Sequence, residues 1–182
     1  MNISVKDDFI SLQRQTHIKN IVEDRQNFLW ECGDTTTWPN IPPKKQMIHS
    51  LVYAGQATSN YTDHIIGCFQ ELPEWNTHDL FRAKINLNFP HKTRNFIAPH
   101  TDFSHPEAVT YLYYIGDSDG LTVIYDDIVK DTSTPSFWWK KTRIKPKQGR
   151  AVRFPSNILH SGNVPYKYPE RIVLNLIFTP KR

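Results

Sequence analysis

Pro99-His100-Thr101-Asp102, read with His160 and Arg171 far downstream, is the part of this 182-residue chain best equipped for chemistry. Side chains alternate along an extended segment, so a histidine and an aspartate one residue apart project to the same side. Two such groups joined by a distant histidine make the two-histidine, one-carboxylate face that holds non-haem Fe(II) and leaves three coordination positions open. Arg171 follows His160 by eleven residues and opens the apolar run Arg171-Ile172-Val173-Leu174-Asn175-Leu176-Ile177-Phe178. That order sets a fixed cation beside the metal, where an acidic co-substrate could dock. His105 is a rival ligand, but His105-Pro106 reads as a turn. His17, His49, His64, His78 and His91 read as surface or core histidines.

The elements that must position these residues change character near residue 80. Residues 1–31 read mainly as helix: Asp7-Asp8 could cap a segment in which Ile18, Ile21, Val22, Phe28 and Leu29 recur at helical spacing. Gly33-Asp34 ends it, and Trp38-Pro39-Asn40-Ile41-Pro42-Pro43 reads as a proline-rich loop. A second helical pattern runs from about Thr62 to Leu72 and stops at Pro73. From there the period is two. Phe81 to Phe89 alternates apolar and polar residues, and strands follow at 108–115, 121–125, 137–145, 150–154, 158–161 and 171–178. Helices followed by seven or eight strands predict an α+β fold whose sheets form a sandwich or barrel, in one domain spanning 1–182.

Composition sets the outer limits. The chain is 38% hydrophobic and 13% aromatic, enough for a full core, and contains no run of about 18 apolar residues to span a membrane. Cys32 and Cys68 are too few and too isolated for a disulfide framework or a zinc site. With no signal-peptide layout at the N-terminus, a reducing cytoplasm is the expected setting, and it would keep iron ferrous. The net charge of +4 permits an anionic partner without requiring one. Its basic residues concentrate in Lys140-Lys141-Thr142-Arg143-Ile144-Lys145-Pro146-Lys147, after Phe137-Trp138-Trp139. A solvated strand pair is the simpler reading of that stretch; a substrate or nucleic-acid surface is the alternative.

The order His-x-Asp, aromatic strand, Asp-Gly, Gly-Arg strand ending in Phe-Pro, His, and an Arg opening the last strand resembles the Fe(II)/2-oxoglutarate-dependent dioxygenases. The likeness is greatest to their small prolyl 4-hydroxylase-like branch and covers roughly residues 80–180. It implies a double-stranded β-helix (jelly roll) core buttressed by the N-terminal helices. It also implies that His100, Asp102 and His160 bind iron and that Arg171 pairs with the distal carboxylate of 2-oxoglutarate. By the same match Tyr114 offers its hydroxyl to that carboxylate, with Thr110 and Leu112 on its face, and Asn175 assists. Relatives often carry a tyrosine on the first core strand, where this chain has Asn86-Leu87-Asn88-Phe89. Asn88 or Phe89 takes its place, and alternation forbids both from facing inward.

The implied reaction consumes O2 and 2-oxoglutarate, releases succinate and CO2, and oxidises a C–H bond, with ascorbate in support. The site entrance is expected from residues 103–107, 38–60 and 126–139. The leading expectation is hydroxylation of a protein or peptide residue, prolyl 4-hydroxylation first. Oxidation of a small metabolite or nucleobase comes second, and a non-catalytic jelly-roll binding protein third. The complete His100, Asp102, His160 and Arg171 set argues against the third.

Overall fold

A computed structural model describes residues 3–35, 44–91, 97–125 and 141–181. The larger of its two antiparallel sheets is built from β1 (Ser4–Lys6), β2 (Glu31–Asp34), β3 (Lys45–Tyr53), β4 (Gln56–Ala57), β5 (His78–Asn88), β6 (Val109–Tyr114), β9 (Ala151–Pro155) and β11 (Arg171–Pro180). Their order is β1-β9-β6-β11-β5-β3-β2, with β4 on β3. The smaller sheet runs β10-β7-β8, from β7 (Thr122–Tyr125), β8 (Lys141–Ile144) and β10 (His160–Gly162). Two helices, α1 (Leu12–Glu23) and α2 (Thr62–Ile66), precede the strand-rich part. No helix among the described residues is long and apolar enough to cross a membrane.

Alternation gives each strand of the large sheet two different faces. Ala83, Ile85 and Leu87 of β5, Tyr111 and Tyr113 of β6, and Leu174, Leu176 and Phe178 of β11 pack with Ile18 and Val22 of α1 and Ile65 of α2. On the other face Leu112, Tyr114, Val152, Phe154 and Val173 meet Ile124 and Ile144 of the small sheet. The buttress thus covers one side of the large sheet, and the small sheet closes over the other. β5 departs from the usual distribution of such a strand. Its polar residues Arg82, Lys84, Asn86 and Asn88 belong to the second face and look between the sheets rather than into solvent.

The strands expected from Leu80 onward are present, with His78–Asn88 and Arg171–Pro180 longer than their patterns indicated. The N-terminal third differs. Ser4–Lys6 is an edge strand, Val5 pairing with Val152, and Asp7 ion-pairs with Lys147 and Arg150 instead of capping a helix. Those two cations hold its carboxyl down at about 2. Ser11 caps α1 by accepting the Arg14 amide. Glu31–Asp34 and Lys45–Tyr53 are strands, and the second helical pattern is α-helical only to Ile66, with 3-10 turns at Gly67–Phe69 and Pro73–Asn76. The proline-rich loop 38–43, the loop 126–136 and Phe137, Trp138, Trp139 and Lys140 lie outside the described residues.

One polar tie joins buttress to sheet. Glu74, 4% exposed, accepts from the Tyr111 hydroxyl at 2.6 Å and from Arg153 Nε at 2.8 Å. Burial pushes the Glu74 carboxyl up, but these two donors outweigh it and leave the group ionised below its ordinary range. Glu74→Ala strands the half-buried Arg153 charge and should lower unfolding free energy by roughly 2–3 kcal/mol, whereas Tyr111→Phe should cost about 1 kcal/mol. Urea unfolding of both variants measures the difference.

Candidate active site

The cavity between the sheets is lined by His100, Asp102 and His160, together with Arg171, Asn175, Asn88, Asn86, Lys84, Thr122 and Gln46 among others. Its empty volume is about 580 Å3, open to solvent at one side. Backbone pairing brings the far-apart histidines together. His100 and His160 form an antiparallel bridge, each amide donating to the other's carbonyl at 2.9 Å. The bridged segment stays extended because Ile97 donates to Gly162 O at 2.8 Å and Asp102 to Ser156 O at 2.9 Å. His100 and Asp102 therefore share a side, as the alternation predicts, while Thr101 is exposed.

One potential ligand atom from each of His100, Asp102 and His160 lies within 4.8 Å of the others. Both imidazoles are oriented the same way. Nδ1 of His100 is 3.1 Å from Ala98 O, and Nδ1 of His160 is 3.1 Å from Ile158 O. A carbonyl can only accept, so each Nδ1 carries the proton and each Nε2 keeps a lone pair for a metal. Burial, and then the neighbouring His160, push His100 down to about 4, so it is neutral at physiological pH.

The Asp102 carboxylate, 2% exposed, is held from several directions. Oδ1 accepts from Arg82 Nη2 at 2.9 Å, and Oδ2 accepts from Thr110 Oγ1 at 3.0 Å and Asn175 Nδ2 at 3.0 Å. His160 Nε2 stands 3.5 Å from Oδ2. Burial pushes the carboxyl up, but His160, His100 and Arg82 outweigh it and keep it below the usual range. Thr110 and Asn175, expected beside the co-substrate, thus meet Asp102.

Arg171 occupies the other end. It is 6% exposed, and its Nε donates to Gly120 O at 2.8 Å while Nη2 donates to Thr122 Oγ1 at 2.8 Å. The Tyr114 hydroxyl donates to the same Thr122 oxygen at 2.7 Å, and the guanidinium carbon lies 5.8 Å from the Tyr114 ring centre. Thr122 accepts from both neighbours, which leaves its own proton free to donate. Two glycines make room for the guanidinium. A Cβ on Gly120 would meet Asn163 O at 2.5 Å and Arg171 Cδ at 2.8 Å, and one on Gly162 would lie 3.4 Å from Nη1.

Alternation on β5 settles the Asn88–Phe89 question, since Asn88 is 1% exposed and Phe89 51%. Asn88 Nδ2 donates weakly to Gln46 Oε1 at 3.5 Å. The side-chain oxygens of Asn86, Asn88 and Asn175 are buried without a partner among the described residues. These oxygens can only accept, so they call for a donor in the cavity, from water or from a ligand N–H or O–H. The donor set fits Fe(II), and the cavity with its buried cation fits a dicarboxylate. His105 is exposed, and its Nδ1 accepts the Glu107 amide. Among the basic residues from 140 to 153, Lys147 and Arg150 are tied to Asp7 and Arg153 to Glu74, whereas Arg143 and Lys145 are exposed.

Arg82, Lys84, Thr122 and Gln46 escaped the sequence reading. The only available signal was the polar phase of the Phe81–Phe89 alternation, which fits a solvated face equally well.

A family model described as the 2OG-Fe(II) oxygenase superfamily matches residues 85–179, just over half of the 182 residues. The chain belongs to that superfamily. Its members are oxidoreductases that use Fe(II), 2-oxoglutarate and O2. Solved structures with the same fold include the α-ketoglutarate-dependent epimerase SnoN of nogalamycin biosynthesis, at 12% identity and TM-score 0.68, covering 98% of this chain and 77% of that one. A Trichoplax adhaerens prolyl hydroxylase, in complex with a peptide fragment of the hypoxia inducible factor oxygen degradation domain, has 14% identity and TM-score 0.66, with coverage of 98% and 83%. A Pseudomonas putida prolyl-4-hydroxylase has 15% identity and TM-score 0.60, with coverage of 99% and 93%. At these identities the likeness is one of fold, the double-stranded β-helix. No curated protein sequence matches the chain.

The depressed value of His100 has a consequence for pH. In the unfolded chain it titrates near the ordinary 6.5, and in the folded protein at about 4. The unfolded state therefore binds the proton first. The stability linked to this group is complete above about pH 6.5 and is lost as pH falls towards 4. Urea midpoints of metal-free protein should drop across that window, and His100→Asn should flatten that part of the profile.

Proposed function

We propose that this member of the superfamily hydroxylates a C–H bond of a protein or peptide residue, with a prolyl ring as the leading substrate. The observation that carries the reading is the convergence of three ligand atoms within 4.8 Å in one cavity with a buried arginine that no described carboxylate touches. In this reading His100 Nε2, His160 Nε2 and the free arc of Asp102 hold Fe(II), and the Arg171 fork binds the distal carboxylate of 2-oxoglutarate. The bound metal and oxo acid supply the O2 chemistry that oxidises the substrate carbon. The chain's own residues do the rest. Ala98 and Ile158 carbonyls fix the imidazole tautomers, while Arg82, Thr110 and Asn175 keep Asp102 ionised and oriented. Thr122 accepts from both Arg171 and Tyr114 and offers its own proton to the carboxylate. Asn175 and Thr110 act through Asp102 and are positioning residues.

The likeness in fold to two prolyl hydroxylases supports a prolyl substrate. A small metabolite is the second reading, supported by the equal likeness to SnoN. Nucleic acid is the less favoured reading: Lys147, Arg150 and Arg153 are internally paired, and only Arg143 and Lys145 of the described basic residues from 140 to 147 remain exposed without an ion pair to a described residue. Ascorbate is expected to sustain turnover by keeping iron ferrous.

Purified protein given Fe(II), ascorbate, O2 and 2-oxoglutarate should form succinate slowly without a prime substrate, and His160→Ala should abolish it. Iron-independent succinate, or equal succinate in the variant, would remove the assignment. Thr122→Val leaves two buried donors unmatched and should weaken anaerobic 2-oxoglutarate binding by roughly tenfold, about 1.4 kcal/mol. Its Fe(II) affinity should move far less, since Thr122 touches none of the three ligands.

A further inference from the structure

We infer that Lys84 is a substrate-anchoring residue and that the substrate carries a carboxylate close to the carbon that is oxidised; this rests on the oxygenase reading above and narrows its substrate. Lys84 lines the same cavity as the three ligand residues and makes no hydrogen bond or ion pair with any described residue. Its place in the sheet fixes which end it serves. Lys84 stands opposite Asn175, the residue whose amide holds Asp102, whereas Asn88 stands opposite Arg171. Four residues of strand separate the two positions, about 13 Å along β5. Arg171 and Lys84 therefore enter the cavity from positions four residues apart along the paired strands, Lys84 on the Asp102 side. A dicarboxylate that runs from the metal to Arg171 fills the Arg171 end. Lys84 remains at the metal end, where the prime substrate must present its C–H bond.

Charge balance selects the class of group. Asp102 and a dianionic oxo acid neutralise Fe(II) and Arg171 together. Arg82 is bound to Asp102 at 2.9 Å and is a quarter exposed, so water screens what charge is left. Lys84 lines the cavity with no hydrogen bond or ion pair from its ammonium to a described residue, Asp102 acting on it only at longer range. Burial draws it below its ordinary value, and the nearby Arg82 adds to this, so an arriving anion relieves it. With Arg82 partly exposed to water, the single buried ammonium of Lys84 is matched by one carboxylate more closely than by a doubly charged phosphate. The unpartnered oxygens of Asn86 and Asn175 can only accept, so they would meet a donor of the substrate and not its carboxylate.

The carboxylate could belong to a small acid or to an acidic residue beside the target in a peptide, and two probe pairs separate these sources. N-acetyl-L-proline is compared with N-acetyl-L-prolinamide, and a short Pro-Glu peptide with its Pro-Gln counterpart. Each is titrated anaerobically into full-length protein loaded with Fe(II) and 2-oxoglutarate. In at least one pair the acid should bind tenfold or more tighter than its neutral partner. Lys84→Met should erase that preference and Lys84→Arg should restore most of it. Absence of a preference in wild type, or a preference that survives in Lys84→Met, overturns the proposal. So does a loss of 2-oxoglutarate affinity in Lys84→Met as large as the loss for the acid, because Lys84 would then serve the co-substrate. If wild type binds neither Fe(II) nor 2-oxoglutarate, the oxygenase reading itself fails, and that result is distinct from the other three.

Discussion

A carboxylate that is 2% exposed must be surrounded by donors, and at Asp102 that requirement organises the site. Leaving such a charge unpaired costs several kcal/mol, so the fold brings a donor from each strand it can reach. Arg82 comes from β5, Thr110 from β6 and Asn175 from β11. These are the adjacent strands at the centre of the large sheet. The His100–His160 bridge then fixes the smaller sheet's edge against the same point. A displacement of any one strand would unmatch a buried donor and the carboxylate together, which gives the two sheets one mutual position. The metal site is thus also the place where the sheets are registered.

The chemistry was legible in the sequence where its determinants are local. His100 and Asp102 lie one residue apart, and alternation alone puts them on one side. Arg171 was legible because it starts a strongly apolar strand, where a cation must have a reason to be. Strand phase was visible in 81–89, but phase gives two faces and does not say which looks inward. The polar face of β5 turns inward because the other face, Ala83, Ile85 and Leu87, is claimed by the helices. The short edge strands Ser4–Lys6 and Glu31–Asp34 are fully or mostly exposed and carry no apolar face, so only pairing with distant strands defines them. Lys45–Tyr53 has bulged pairing with β5 near Ser50, which breaks the regular alternation a strand signal needs. Thr110 and Asn175 were read from strand neighbours of Tyr114 and Arg171, yet two to four residues along a strand carry a side chain about 7–13 Å. That distance separates the arginine end from the metal end.

Arg171 shows what the arrangement costs before any ligand arrives. Its guanidinium is held by a carbonyl, a hydroxyl and an aromatic face, and no described carboxylate touches it. Burial alone pulls its proton affinity down, with Tyr114 opposing, so the empty protein tolerates a charge it does not neutralise. Gly120 and Gly162 are shaped around this side chain, so the fold accommodates the cation rather than avoiding it. An unmatched buried cation destabilises the folded state until an anion binds, and the same free energy then appears as affinity for that anion. Asp102 and Arg171 are in this sense opposite solutions within one cavity. The anion is oriented by three donors that leave an arc open for a metal, and the cation is left without a described carboxylate so that binding one completes the core.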